Sequence, residues 1–201
     1  MLLFIGDDNR IKERPIPSTM VTFLAVAAMA YLMVLLGLAP ARSDAISLEE
    51  VERQVAEHFP EVSHISPEEL ALKFRVGEPF ILLDVREAEE FAVSHLPRAM
   101  RVDPGIWQNN FMNRVGERVP GRSVVFYCSV GVRSSKLAAY VQHLLLKAGA
   151  TAVYNLRGGI FAWHNQKRVL ANSDGKTDFV HPYDKHWGQL LERKSQKRYV
   201  P

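Results

Sequence analysis

The 201-residue chain is 47% apolar and 23% charged, which suits one modest globular domain with hydrophobic material to spare. Its net charge of +3 is weak and scattered, which argues against a nucleic-acid partner. The single cysteine has no intramolecular partner, so a disulfide framework is excluded.

The spare apolar material is the run 20–39, which carries no charge. As a helix rising about 1.5 Å per residue it would span about 30 Å, enough to cross a bilayer. Two readings of residues 1–45 compete. Ala39-Pro40-Ala41 and Ser43-Asp44-Ala45 have the small-x-small form of a signal-peptide cleavage site. The length of the run and the leader bearing Arg10, Lys12 and Arg14 favour a retained membrane anchor. Either reading predicts an exported domain, periplasmic or membrane-anchored, outside the cytoplasm. Translation from Met20 would instead leave the signal without its basic leader.

Residues 46–63 are expected to form a helix and linker: Ser47-Leu-Glu-Glu50 has the form of a capping box, and the helix runs to about His58 before Pro60. Ser66-Pro67-Glu68-Glu69 places a cap, a first-turn proline and two acids at the start of a second helix, to about Arg75. Apolar or β-branched runs at 81–85, 100–102, 124–127 and 152–156 predict buried strands, with helices at 87–93, 106–115 and 134–148 between them. This alternation predicts an α/β fold, a parallel sheet flanked by helices on both faces. Ligands gather beyond the carboxyl ends of such strands, where Cys128 falls.

Ser123-Val-Val-Phe-Tyr-Cys128 delivers the sulfur at a strand end, and Cys128-Ser-Val-Gly-Val-Arg133 forms a loop before a helix. Gly131 allows a tight turn, and the helix start aims N–H groups and a positive dipole end at the loop. Such surroundings favour a thiolate nucleophile. A buried, inert small hydrophobe is the plain alternative, and the combination of strand end, glycine loop, arginine and helix start weighs against it. Cysteine phosphatases need a loop one residue longer to surround a phosphate. Phosphate-ester or arsenate chemistry is therefore the third choice.

At this point the sequence resembles the rhodanese family of sulfurtransferases. Phe80-Ile-Leu-Leu-Asp84-Val-Arg86-Glu-Ala-Glu-Glu-Phe91 is similar to the family's strand and Asp-x-Arg-x-x-x-Glu-Phe element, and Ser94-His95-Leu-Pro97-Arg-Ala99 to its histidine turn. Val153-Tyr-Asn-Leu-Arg157-Gly158-Gly159-Ile160-Phe-Ala-Trp163 is similar to its closing strand and Gly-Gly turn. The resemblance covers residues 64–166 as one rhodanese-like domain. It implies a persulfide on Cys128, formed from an anionic donor such as thiosulfate and passed to cyanide, a thiol or a protein cysteine. Ser129, Val130, Gly131, Val132, Arg133 and Ser134 would form the cradle, with backbone N–H groups stabilising the charged sulfur. Arg133 has two candidate roles, holding the donor's anionic end or tying down the loop by a salt bridge. Asp84, Arg86 and His95 are expected to be structural supports. No cofactor and no metal are expected. Ser129 stands where many members carry arginine, and Ser94 and Arg98 replace the glycines of the histidine turn. Loss of that loop charge keeps a rival reading open: a non-catalytic binding or sulfur-sensing module.

Lys136 is expected on a solvated face, and Trp107 and Trp163 are expected to pack. The extension 167–201 is expected to hold a turn at Asn172-Ser-Asp-Gly175 and a short helix with a basic end over 188–198. Its expected role is a lid or flap anchored by Tyr183 and Trp187. His181 and His186 lack a third strong ligand at metal-site spacing. Contact of its basic residues with anionic lipid is a further idea the charge raises.

Overall fold

The structure, a computed structural model, describes residues 46–201, so the run 20–39 and its signal-or-anchor reading lie outside the described residues. No helix among the described residues is long and apolar enough to cross a membrane. Ser47 caps α1 (Leu48–His58), its Oγ accepting from the Glu50 N–H at 3.2 Å. At α2 (Pro67–Val76) the bonding is reciprocal: Ser66 Oγ accepts from the Glu69 N–H at 3.2 Å, and the Glu69 carboxylate accepts from the Ser66 N–H at 2.7 Å. Each serine satisfies a donor that a helix start leaves unpaired, worth about 1 kcal/mol.

Five parallel strands form the sheet: β1 (Ser63–Ile65), β2 (Phe80–Asp84), β3 (Met100–Arg101), β4 (Ser123–Tyr127) and β5 (Ala152–Leu156), in the order β1-β5-β4-β2-β3. The sequence reading lacks β1, because three residues between two capped helices are too few to show a period. The remaining α-helices among the described residues are α3 (Ala88–Val93), α4 (Gln108–Val115), α5 (Val132–Lys147) and α6 (Gly159–Asn165). Every residue of β2 and β4 is buried, and their side chains alternate between two cores. Leu82, Val125 and Leu156 pack with Val51, Leu70 and Ile160, so α1, α2 and α6 cover one face. Leu83, Val124 and Phe126 pack with Phe111, Leu137 and Val141, so α4 and α5 cover the other.

The connections part at the centre of the sheet. The chain leaving β2 goes outward to β3, and the chain leaving neighbouring β4 goes the opposite way to β5. Their carboxyl ends therefore open a crevice.

Beyond α6, β6 (Leu170–Asn172) and β7 (Gly175–Thr177) form a hairpin around the expected turn. The expected helix over 188–198 is not formed; two short 3-10 turns, Trp187–Leu190 and Lys194–Gln196, stand in its place. Asn165 supplies a physical reason, since its side chain donates to the Leu190 carbonyl (2.9 Å) and accepts from the Glu192 N–H (3.0 Å). Those bonds hold the segment against α6 and engage backbone groups that a helix would use. Trp163 is 4% exposed and packs, its indole N–H donating to the Val169 carbonyl at 2.9 Å. Trp107, by contrast, is 74% exposed, because as the residue preceding α4 it lies outside the turns that face the core.

Candidate active site

Cys128 follows the last residue of β4 and is 1% exposed, at the floor of a cavity of about 160 Å³. Its Sγ accepts from the Gly131 N–H at 3.2 Å. Gly131 has φ 105°, in the region that favours glycine, and leads directly into α5. A Cβ there would stand 3.1 Å from Asn155 Nδ2 on β5. Behind the loop, Ser134 Oγ donates to Asn155 Oδ1 at 2.6 Å, both residues being fully buried. From below, α6 grips the loop through its first turn: the Ile160 N–H donates to the Cys128 carbonyl (2.9 Å) and the Phe161 N–H to that of Ser129 (3.1 Å). These bonds satisfy the helix start and fix the backbone that carries the sulfur.

The one cation in the loop is already engaged. Arg133 Nη1 donates to Glu90 Oε2 at 2.7 Å, and Nη2 to Glu90 Oε1 at 2.9 Å and to Ser129 Oγ at 3.0 Å. Ser129 in turn donates to Glu90 Oε1 at 3.0 Å. Burial by itself would push the Glu90 carboxyl up, and the hydrogen bond and charge of Arg133 overcome it, so Glu90 is held below the usual carboxylate range. Burial likewise works against the Arg133 charge, which the Glu90 hydrogen bond, the nearby Cys128 and the Glu90 charge together raise above its ordinary value. Of the two roles expected for Arg133, the geometry is that of the loop tie.

A second ion pair lies beneath the first. Asp84 and Arg86 are both fully buried, with Arg86 Nη2 donating to Asp84 Oδ2 and to the Ser94 carbonyl, each at 2.6 Å. This joins the end of β2 to the end of α3, the helix that presents Glu90. His95 donates from Nδ1 to the Leu96 carbonyl at 3.0 Å and stacks on Phe91 at 4.1 Å, away from the lining of the cavity. Ser94 has φ −172°, extended backbone open to any residue, whereas Arg98 has φ 66°, where a glycine sits without strain.

Ser129, Val130, Val132, Arg133, Tyr183 and Trp187 line the cavity together with Cys128. The Arg133 guanidinium lies 4.8 Å from the centre of the Tyr183 ring. Lys136 is exposed and does not line the cavity. Among the described residues, no group of three or more His, Cys, Asp or Glu side chains could hold a metal ion.

The rhodanese-like domain family matches residues 66–166. This chain belongs to that family. Among curated relatives of this rhodanese-like domain, a sulfurtransferase of Allochromatium vinosum is 34% identical over 114 residues, 57% of this chain and 99% of that protein. A tRNA uridine(34) hydroxylase of Synechococcus elongatus is 32% identical over 111 residues, 53% of this chain and 34% of its own length. Among solved structures, a thiosulfate sulfurtransferase of Pseudomonas aeruginosa aligns with a TM-score of 0.49 at 19% identity, over 69% of this chain and 26% of that one.

Two contributors escaped the sequence reading. Glu90 stands inside the Asp-x-Arg-x-x-x-Glu-Phe element, and its partner was hidden because Arg133 lies 43 residues away. Asn155 is a polar residue in an otherwise apolar strand run, a signal that its side chain needed buried partners.

Proposed function

We propose that this rhodanese-like protein transfers sulfane sulfur through a persulfide on Cys128. The observation that carries the reading is the Cys128 sulfur at the floor of a cavity, accepting the Gly131 N–H, in a six-residue loop that runs into α5. In the first step the Cys128 thiolate attacks the outer sulfur of an anionic donor, thiosulfate being the simplest. The new Cys–S–S bond forms as the donor S–S bond breaks, and its electron pair leaves with sulfite. In the second step a cyanide, thiol or protein-cysteine acceptor attacks the outer sulfur, and the pair returns to Cys128 as thiolate. Backbone N–H groups at the start of α5 stabilise charge on the bound sulfur pair. Family membership and the sulfurtransferase relative support the class of reaction.

The uncharged run 20–39 supports work outside the cytoplasm, with the domain exported or anchored. The amino-terminal residue of the protein recovered from a cell envelope or periplasmic fraction tests that placement. For the chemistry, thiosulfate and cyanide are mixed with the protein and thiocyanate is measured. Turnover that Cys128→Ser abolishes is expected; equal turnover by that variant overturns the reading.

A further inference from the structure

The cavity that holds Cys128 is lined in part by two aromatic residues from beyond the matched domain: Tyr183 and Trp187 lie after residue 166, where the family match ends. Tyr183 is held in place by its backbone. Its φ is 66°, an uncommon conformation for a tyrosine, and its N–H donates to His181 Nδ1 at 3.1 Å within the turn. Trp187 is fixed by its N–H donating to Asp184 Oδ1 at 2.8 Å, at the start of a 3-10 turn. Val130 and Val132 line the same cavity.

Charge complementarity to a small dianion is weak on the same surface. The Arg133 guanidinium is bound through two nitrogens to Glu90 and faced by the Tyr183 ring, and Ser129 brings no charge of its own. A thiosulfate dianion would have to compete with a carboxylate for that cation. An apolar group, by contrast, would gain by burial in a cavity lined by two valines and two aromatic rings.

We infer that the C-terminal segment, through Tyr183 and Trp187, makes this site select sulfane sulfur carried on an apolar, preferably aromatic, organic group over thiosulfate. The inference rests on the sulfur-transfer reading above and adds the donor class. With an aromatic thiosulfonate the Cys128 thiolate attacks the terminal sulfur, the donor S–S bond breaks, and the electron pair leaves with the arenesulfinate. Sulfur ends as the Cys128 persulfide with no change in total charge and no added oxidant.

The test compares benzenethiosulfonate with methanethiosulfonate, equal in charge and different in apolar size, and both with thiosulfate, using cyanide as acceptor and the full chain. The expected kcat/KM for benzenethiosulfonate exceeds that for methanethiosulfonate by about tenfold or more, carried by KM, with thiosulfate the poorest donor. Tyr183→Leu, at an exposed position, and Trp187→Leu are each expected to pull the ratio of the two thiosulfonates to within about threefold. Because the readout is a ratio within one variant, a partly unfolded sample does not imitate it. Equal use of the two thiosulfonates by the native protein, a preference for thiosulfate, or an unchanged ratio in both variants overturns the donor class while leaving sulfur transfer standing. Absence of transfer from all three donors overturns both.

Discussion

Gly159 lies so close to the cysteine loop that a single methyl group cannot be added. With φ at 55°, its Cβ would fall 2.6 Å from the Ser129 carbonyl oxygen and nearer still to that of Cys128. Gly159→Ala is therefore expected to cost about 2–4 kcal/mol, combining left-handed strain with overpacking against backbone that α6 itself holds. Urea unfolding measures it, and a change under about 1 kcal/mol would show that the loop yields. The Glu90–Arg133 pair makes a separate prediction. The folded carboxyl titrates below its ordinary value of 4.5, so the unfolded chain takes up the proton first. The pair's contribution is full above that value and is lost as pH falls through the lower folded one. Glu90→Gln should reduce stability at neutral pH and flatten that acid slope, and a slope unchanged in the variant would contradict the assignment. Cys128, Gly131 and Arg133 were legible because one short segment contains them. The carboxylate that occupies Arg133 was not, because only the fold brings α3 to the start of α5.

At the scale of elements, the buried Asp84–Arg86 pair ties β2 to α3 and so sets where Glu90 can reach. Removing one partner strands the other charge without water. Arg86→Ala is expected to cost about 3–5 kcal/mol, whereas replacing both residues with apolar ones of similar volume should cost less. A thermal or urea midpoint for each variant checks the order, and a single variant more stable than the double one would refute it. The capped helices and the buried central strands could be read from sequence because their signals are local: Ser66 with Glu69, or the apolar run Phe80-Ile-Leu-Leu83. β1 and the tail could not. A three-residue edge strand exists only because β5 offers it a partner, and the 188–198 segment takes its shape from Asn165 rather than from its own periodicity.

For the whole molecule, the C-terminal segment is fastened to the domain by buried contacts that include His164 on α6. Its Nε2 donates to the Asp178 carbonyl at 3.0 Å, which places the hydrogen on Nε2 and leaves buried Nδ1 without a hydrogen-bond partner. Burial holds this histidine below its ordinary value of 6.5, against the opposing pull of the Asp178 carbonyl. The unfolded chain therefore gains the proton first. This histidine's share of stability is complete above that value and declines as pH drops toward the folded one, by at most about 1.4 kcal/mol per pH unit. As pH falls this slope begins near 6.5, before the Glu90 window opens near 4.5, so its onset is read first on one titration of unfolding midpoint against pH. Burial also holds His64 and His181 below 6.5. His164→Gln, which can keep the bond to Asp178 without titrating, should therefore reduce the upper slope without abolishing it; a slope unchanged in the variant would assign the effect elsewhere.

The proposed chemistry rests on one sulfur atom, that of Cys128, and intact mass is the most direct test of what it does. The full chain is weighed before and after exposure to thiosulfate or benzenethiosulfonate, then again after cyanide, beside Cys128→Ser. The account predicts a gain of one sulfur atom that requires Cys128 and disappears as thiocyanate forms. A protein that gains no sulfur from either donor, or a Cys128→Ser variant that gains it equally, would contradict the persulfide on Cys128.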